Sequence, residues 1–124
     1  MTKIEDYAVI GDTHSIALVS KQGSIDWLCL PRFDSPSTFG ALLDADQGGY
    51  WRIAPRERAR SRRRYLQDSL VLETTFETDA GSVKVTDCLP LEETSDPHDP
   101  RMVHPEDLVV RVVRGVQGAI ELEM

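Results

Sequence analysis

Two short stretches of alternating apolar and polar residues, each bent back on itself by a glycine-ending turn, limit what this chain can fold into more than any other feature. "SIALVS" (residues 15–20) and "SIDWLCL" (residues 24–30) flank the three residues "KQG". Glycine at the last loop position suits a hairpin with a glycine bulge. "LVLETTFET" (residues 70–78) and "SVKVTDCL" (residues 82–89) flank "DAG" in the same way. In that second pair Leu70, Leu72, Thr74 and Phe76 share one face while Glu73, Thr75 and Glu77 share the other, the pattern of a strand with one wet side.

Further strands follow by the same reasoning. One is expected from Tyr50 to Ile53, and "DLVVRVVRG" (residues 107–115), apolar on both faces apart from its arginines, predicts a strand central in its sheet. Many short strands with little helical periodicity predict an all-β fold, an antiparallel β-sandwich. One short helix is expected beside it. Ser35 would be its N-cap and Pro36 its first residue, after which Phe39, Leu42 and Leu43 fall at helical spacing.

A length of 124 residues allows one compact domain, so residues 1–124 are read as a single domain. "AIELEM" places Ile120, Leu122 and Met124 opposite Glu121 and Glu123 and stops in mid-pattern, which predicts a piece of a longer polypeptide. The start "MTKIEDYAVIGD" carries no basic region followed by an apolar run, and no stretch approaches the ~20 apolar residues of a membrane span. Cys29 and Cys88 lack metal or redox spacing, which fits reduced thiols and a cytoplasmic location. "EETSDPHDPRMVHPED" (residues 92–107) has acids and prolines but no apolar rhythm and reads as a loop.

Charge excludes some partners. The chain carries −7, yet "RERARSRRR" (residues 56–64) alone carries +5. No aromatic residue interleaves with these arginines to stack bases, and an acidic remainder repels a polyanion. A salt-bridged edge meeting an acidic partner surface is the expected role, with no nucleic acid and no membrane as partner.

Candidate chemistry is sparse. Hydrolysis of a glycosidic bond needs two carboxyl groups across a cleft, and Asp26 and Asp34 are the residues to weigh. Asp26 alternates within a strand and Asp34 precedes Ser-Pro, where a carboxylate bonds nearby amides, so both are assigned structural roles. His98 and His104 match no metal-binding pattern, and Ser15, His14 and Asp12 are too close in sequence for a triad. No catalytic residue, metal site or cofactor is assigned. Trp27, Arg32, Phe33, Asp34 and Phe39 offer aromatic faces and a charge pair suited to a sugar site or a domain interface. Alternatively, Trp27 and Phe39 fill the core.

Three segments carry a family resemblance: "IEDYAVIGDTHSIALVSKQGSIDWLCLPRFDSPSTFGALLD", "GGYWRIAP" and "RRYLQDSLVLETTFETDAGSVKVTDCLP". Together they resemble the N-terminal domain of the bacterial and archaeal trehalase-like and glucoamylase-like enzymes of glycoside hydrolase family fifteen. The resemblance implies a non-catalytic β-sandwich packed on a C-terminal (α/α)6 barrel. That barrel, absent here, would hydrolyse an α-glucoside with inversion through two glutamates of its own, for which neither Glu92 nor Glu93 stands in. The residues expected to touch the substrate pocket or the other domain are Asp26, Trp27, Pro31, Arg32, Phe33 and Asp34. A free-standing carbohydrate-binding module is the competing reading, and it calls for a flat aromatic strip.

Overall fold

The computed structural model describes residues 2–91 and 108–124. After a 3-10 turn at Ile4–Asp6 the strands run β1 Tyr7–Gly11, β2 Ile16–Ser20, β3 Ser24–Cys29, β4 Ser37–Phe39, β5 Trp51–Arg52, β6 Ala54–Pro55, β7 Arg60–Tyr65, β8 Leu72–Thr78, β9 Gly81–Cys88, β10 Val110–Gly118 and β11 Leu122–Glu123. They form an all-β, antiparallel sandwich. One sheet has the order β1-β2-β3-β4, with β5 also pairing β3; the facing sheet has the order β10-β9-β8-β7, and β11 pairs β6 separately.

Both expected hairpins form. Gly23 closes the first at φ +77°, and a Cβ there would lie 2.4 Å from the Ile53 carbonyl oxygen, so the turn requires glycine twice over. In the second, Thr78 pairs with Gly81 across Asp79 and Ala80. Leu72, Thr74 and Phe76 point inward and are buried, whereas Leu70 precedes β8 and is half exposed. Thr75 faces outward yet is buried, its register neighbours being Arg62 and Lys84.

The core has two parts. Ile10, Ala17, Val19, Ile25, Leu28, Leu72 and Leu89 form the first, and Ile53, Ala54, Phe76, Val83 and Val85 the second. Trp51 packs against both. Ile120 and Leu122 cover the second part, and the glutamates between and after them bond Arg56 and Arg52, so the alternation of the last residues is used by β11 on β6.

Two expectations are corrected. The segment after Ser35 is not a helix: Ser37–Phe39 is β4, paired with the bulged end of β3 through Leu28↔Phe39 and Cys29↔Ser37. Pairing turns Phe39 onto the core, a burial worth more than the weak helical preference of a short Pro-led segment. Ser35 caps no helix; its Oγ accepts from the Arg32 amide. The second correction concerns β10, which lies at the edge of its sheet rather than its centre. Val112, Val113 and Val116 are exposed there, and the strand is held by its arginine at 111. The expected loop at residues 92–107 lies outside the described residues, as do His98, His104, Glu92 and Glu93.

Arg111 joins the two sheets. Its Nε lies 2.7 Å and its second terminal nitrogen 3.2 Å from the two carboxylate oxygens of Asp87, and both side chains are sealed from solvent. The guanidinium also donates to the carbonyls of Trp51 (2.6 Å) and Gly23 (2.8 Å), and lies 5.3 Å from the centre of the Trp51 ring. On the opposite flank the Tyr65 hydroxyl donates to the Val9 carbonyl and accepts from the Val9 amide, and Arg63 donates to the Val19 carbonyl. The sandwich is thus pinned along both sides.

Candidate functional site

One end of the sandwich gathers the irregular chain. The turn between β1 and β2 is built on Asp12, whose Oδ1 accepts the amides of His14 (2.9 Å) and Ser15 (2.8 Å). This is the hydrogen bonding of an Asx turn, and it leaves Thr13 at φ +78°. The Ser15 hydroxyl donates to the Cys29 carbonyl, tying the turn to the exit of β3. With Asp12 Oδ1 held by two backbone amides and the Ser15 hydroxyl by a carbonyl, Asp12, His14 and Ser15 make no nucleophilic relay.

Beyond β3 the Leu30–Pro31 peptide is cis and the chain doubles back. The Ser35 amide donates to the Arg32 carbonyl at 3.0 Å, Arg32 pairs with Asp34 at 3.2 Å, and the Phe33 amide donates to the His14 carbonyl at 3.0 Å. Phe33 itself is 69% exposed. A large aromatic ring is therefore held outward by a backbone that is hydrogen-bonded on both sides. Pro31, Arg32, Phe33 and Asp34 stand together as one solvent-facing loop.

Asp26 and Trp27 lie elsewhere, in the body of β3. Asp26 accepts from the Tyr7 hydroxyl at 2.6 Å and from the Ser24 hydroxyl. Burial, and then the hydrogen bond to Asp26, push the Tyr7 phenol up to about 12. Asp26 is thus engaged within its own sheet, while Asp34 is paired on the loop, each carboxylate with its own partner. Trp27 is half-buried and lies in one row with Val9 and Leu18 across three strands.

The arginine run follows the alternation of β7. Arg60, Arg62 and Arg64 face outward and pair with Glu77 and Glu73 on β8, while Arg63 turns inward. The Arg64 hydrogen bond, assisted by Lys84, holds the Glu73 carboxyl below the usual glutamate range. This is the salt-bridged edge expected from the charge pattern.

An apolar recess of about 710 Å³ opens beside the Asp12 turn, bounded by Gly11, Thr13, Leu70, Val71, Leu89 and Leu91, with Asp68 at its rim. Sequence reasoning missed it, because its walls come from three separate connections. Leu70 and Leu91 gave the available signal, being apolar residues just outside strand patterns.

A family model described as "Trehalase-like, N-terminal" matches residues 1–121. The chain belongs to this family. It is 40% identical to a trehalase of Mycobacterium tuberculosis over 98% of its own length and 19% of that enzyme's. It is 39% identical to a trehalase of Mycolicibacterium smegmatis with the same coverage, and 42% identical to trehalase 2 of Sulfolobus acidocaldarius over 69% of this chain and 14% of that protein. The chain therefore spans about a fifth or less of the length of these curated relatives. No solved structure matches it.

In this trehalase-like N-terminal domain, the described residues at the loop end present a hydrogen-bonded surface. Among the described residues no group of three His, Cys, Asp or Glu side chains is placed to hold a metal ion, and no helix is long and apolar enough to cross a membrane. Cys29 is buried and Cys88 half-buried, both thiols are free, and burial pushes both up from the ordinary thiol range. What the loop end can do chemically is present an aromatic ring, an Arg–Asp pair and an apolar recess to whatever lies against it.

Proposed function

We propose that these residues are the non-catalytic N-terminal domain of a trehalase-type or glucoamylase-type glycoside hydrolase of the inverting kind. In this reading residues 1–124 belong to one sandwich domain of a longer polypeptide, and the domain packs on a catalytic (α/α)6 barrel and helps to shape its α-glucoside pocket. The observation that carries the reading is the coverage: nearly all of this chain matches about a fifth of full-length trehalases. The loop end fits it, since Phe33, 69% exposed on a hydrogen-bonded backbone, offers an aromatic anchor of the kind that interfaces use. Asp26 and Trp27 contribute through the sheet that carries the loop, and Pro31, Arg32, Phe33 and Asp34 through contact. We place the polypeptide in the cytoplasm, where the free thiols of Cys29 and Cys88 stay reduced.

Glucose release from trehalose and from maltose tests the assignment. The 124-residue chain should release none above buffer, and the full-length polypeptide should turn over at least one of the two substrates. Turnover by the short chain that is lost in Asp26→Asn or Asp34→Asn would place the chemistry in this domain and overturn the reading.

A further inference from the structure

Two arginines of the β10-β9-β8-β7 sheet turn inward and reach across to the facing sheet, and only one of them is neutralised. Arg111 on β10 donates to the carbonyls of Trp51 and Gly23, and the Asp87 carboxylate next to it on β9 accepts from two of its nitrogens. Arg63 on β7 donates in the same way to the Val19 carbonyl, at 3.0 Å. Its register neighbour on β8, however, is Thr74, and among the described residues Arg63 forms no ion pair. Asp6 acts on it through space but is bonded to Lys21 at 2.5 Å. Burial pulls the Arg63 guanidinium down from the ordinary arginine range. A half-buried cation with one of its five donors used lacks the counter-charge that its counterpart at the other edge has.

The place for that counter-charge is open. β7 ends its sheet and has a strand on one side only, as does β1 in the facing sheet. Between them runs a groove of about 510 Å³, lined by Tyr7, Ala8, Lys21, Ser61, Arg63 and Tyr65 among others, and no acidic residue lines it. On the outer side of the same strand Arg60 and Arg62 share Glu77, while Arg64 and Lys84 share Glu73, so four cations meet two carboxylates. A free strand edge is a template for a further extended segment. This one repels basic segments and favours acidic ones, because charges directly across a strand pair attract or repel.

We propose that the free edge of β7 takes one further strand, an acidic segment of the same polypeptide from outside residues 1–124, with an inward Asp or Glu on Arg63 and an outward one on Arg62 or Arg64. The added strand repeats at β7 what Asp87 and Arg111 do at the other edge. A second copy of the chain does not supply it, since the edge strands of the two large sheets, β1, β4, β7 and β10, contain no Asp or Glu. Residues 92–107 join β9 to β10, toward the opposite edge of the sheet from β7. The proposal rests on the reading of the chain as one domain of a longer polypeptide. The curated relatives, about five times as long, have the length from which such a segment comes, and tethering makes its docking intramolecular.

Photo-crosslinking in the full-length polypeptide tests this, with p-benzoylphenylalanine in place of Ser61, which is exposed on β7 and lines the groove, and in place of Arg114 on β10 as the control. The Ser61 probe should capture a single peptide beyond residue 124 that contains Asp or Glu, and the Arg114 probe should not capture that peptide. Arg63→Gln should lower the Ser61 yield about tenfold, the scale of one charge-assisted hydrogen bond. If Arg63→Gln does not fold, changing the captured Asp or Glu to its amide makes the same test from the other side. Capture confined to residues 1–124, capture of a separate protein, scattered capture, or a yield indifferent to Arg63 and to the captured carboxylate overturns the proposal. Glucose release from trehalose or maltose by the same preparation keeps the two claims apart: release without capture overturns the added strand and leaves the domain reading standing, whereas neither release nor capture overturns both.

Discussion

Arg111→Met will cost this domain about 3–5 kcal/mol, the loss expected when one member of a buried ion pair is removed. The methionine cannot replace any of the bonds: the Asp87 carboxylate would stay in the core without its cation, and the carbonyls of Trp51 and Gly23 would each lose the guanidinium donor, Gly23 keeping the Ile53 amide. Total stabilities of small domains are about 5–15 kcal/mol, so the change takes a large share of what there is. Urea unfolding of the full-length polypeptide, followed through Trp51 and Trp27, reads it as a shift in the transition that contains these tryptophans. Arg114→Met is the matched control, because Arg114 is an exposed residue of the same strand. Its effect should stay within about 0.5 kcal/mol. A double change, Arg111→Met with Asp87→Leu, should recover much of the loss, since the cost arises from the stranded charge rather than from the absence of the pair. Equal effects of Arg111→Met and Arg114→Met would show that the pair does not hold the sheets together.

The second large effect concerns activity. On the proposed reading, Arg32→Ala combined with Phe33→Ala in the full-length polypeptide should lower kcat/KM by about tenfold or more, equivalent to ~1.4 kcal/mol of transition-state stabilisation. Phe33 is exposed and absent from both core clusters, and the Arg32–Asp34 pair lies in solvent, so the double change leaves the fold intact. A loop whose amides are already bonded to His14 and Arg32 loses little entropy on docking, which makes it an effective wall for a neighbouring pocket. The loss should appear with unchanged unfolding behaviour. Wild-type kinetics in a stable double variant would reduce the loop to a surface corner.

The parts of this fold that could be read from the chain are those set by local rules. "KQG" and "DAG" fixed both hairpins, and the alternation of Leu72, Thr74 and Phe76 against Glu73 and Glu77 assigned the faces of β8 before any contact was known. Where a distant partner decides, local rules fail. Ser35-Pro36 is a reasonable helix start, yet the free edge of β3 recruits Ser37–Phe39 as a strand because only that pairing brings Phe39 to the core. β10 reads as central because Val110, Val112 and Val113 flank Arg111, but Arg111 is the residue that faces inward, neutralised by an aspartate 24 positions away. At the loop end, the exposed loop from Pro31 to Asp34 was legible from its composition. The burial of Asp12 was not, since an Asx turn looks alike from sequence whether its second oxygen meets solvent or is buried.

The central claim is that the loop end of the sandwich lies against the rest of a longer enzyme, and hydroxyl-radical footprinting of the full-length polypeptide tests it most directly. Phe33, 69% exposed here, and Phe76, 3% exposed, share the same intrinsic reactivity and so calibrate one another. The account predicts that Phe33 in the full-length protein is modified nearly as slowly as Phe76. Modification of Phe33 at the rate of a solvent-exposed phenylalanine would contradict it.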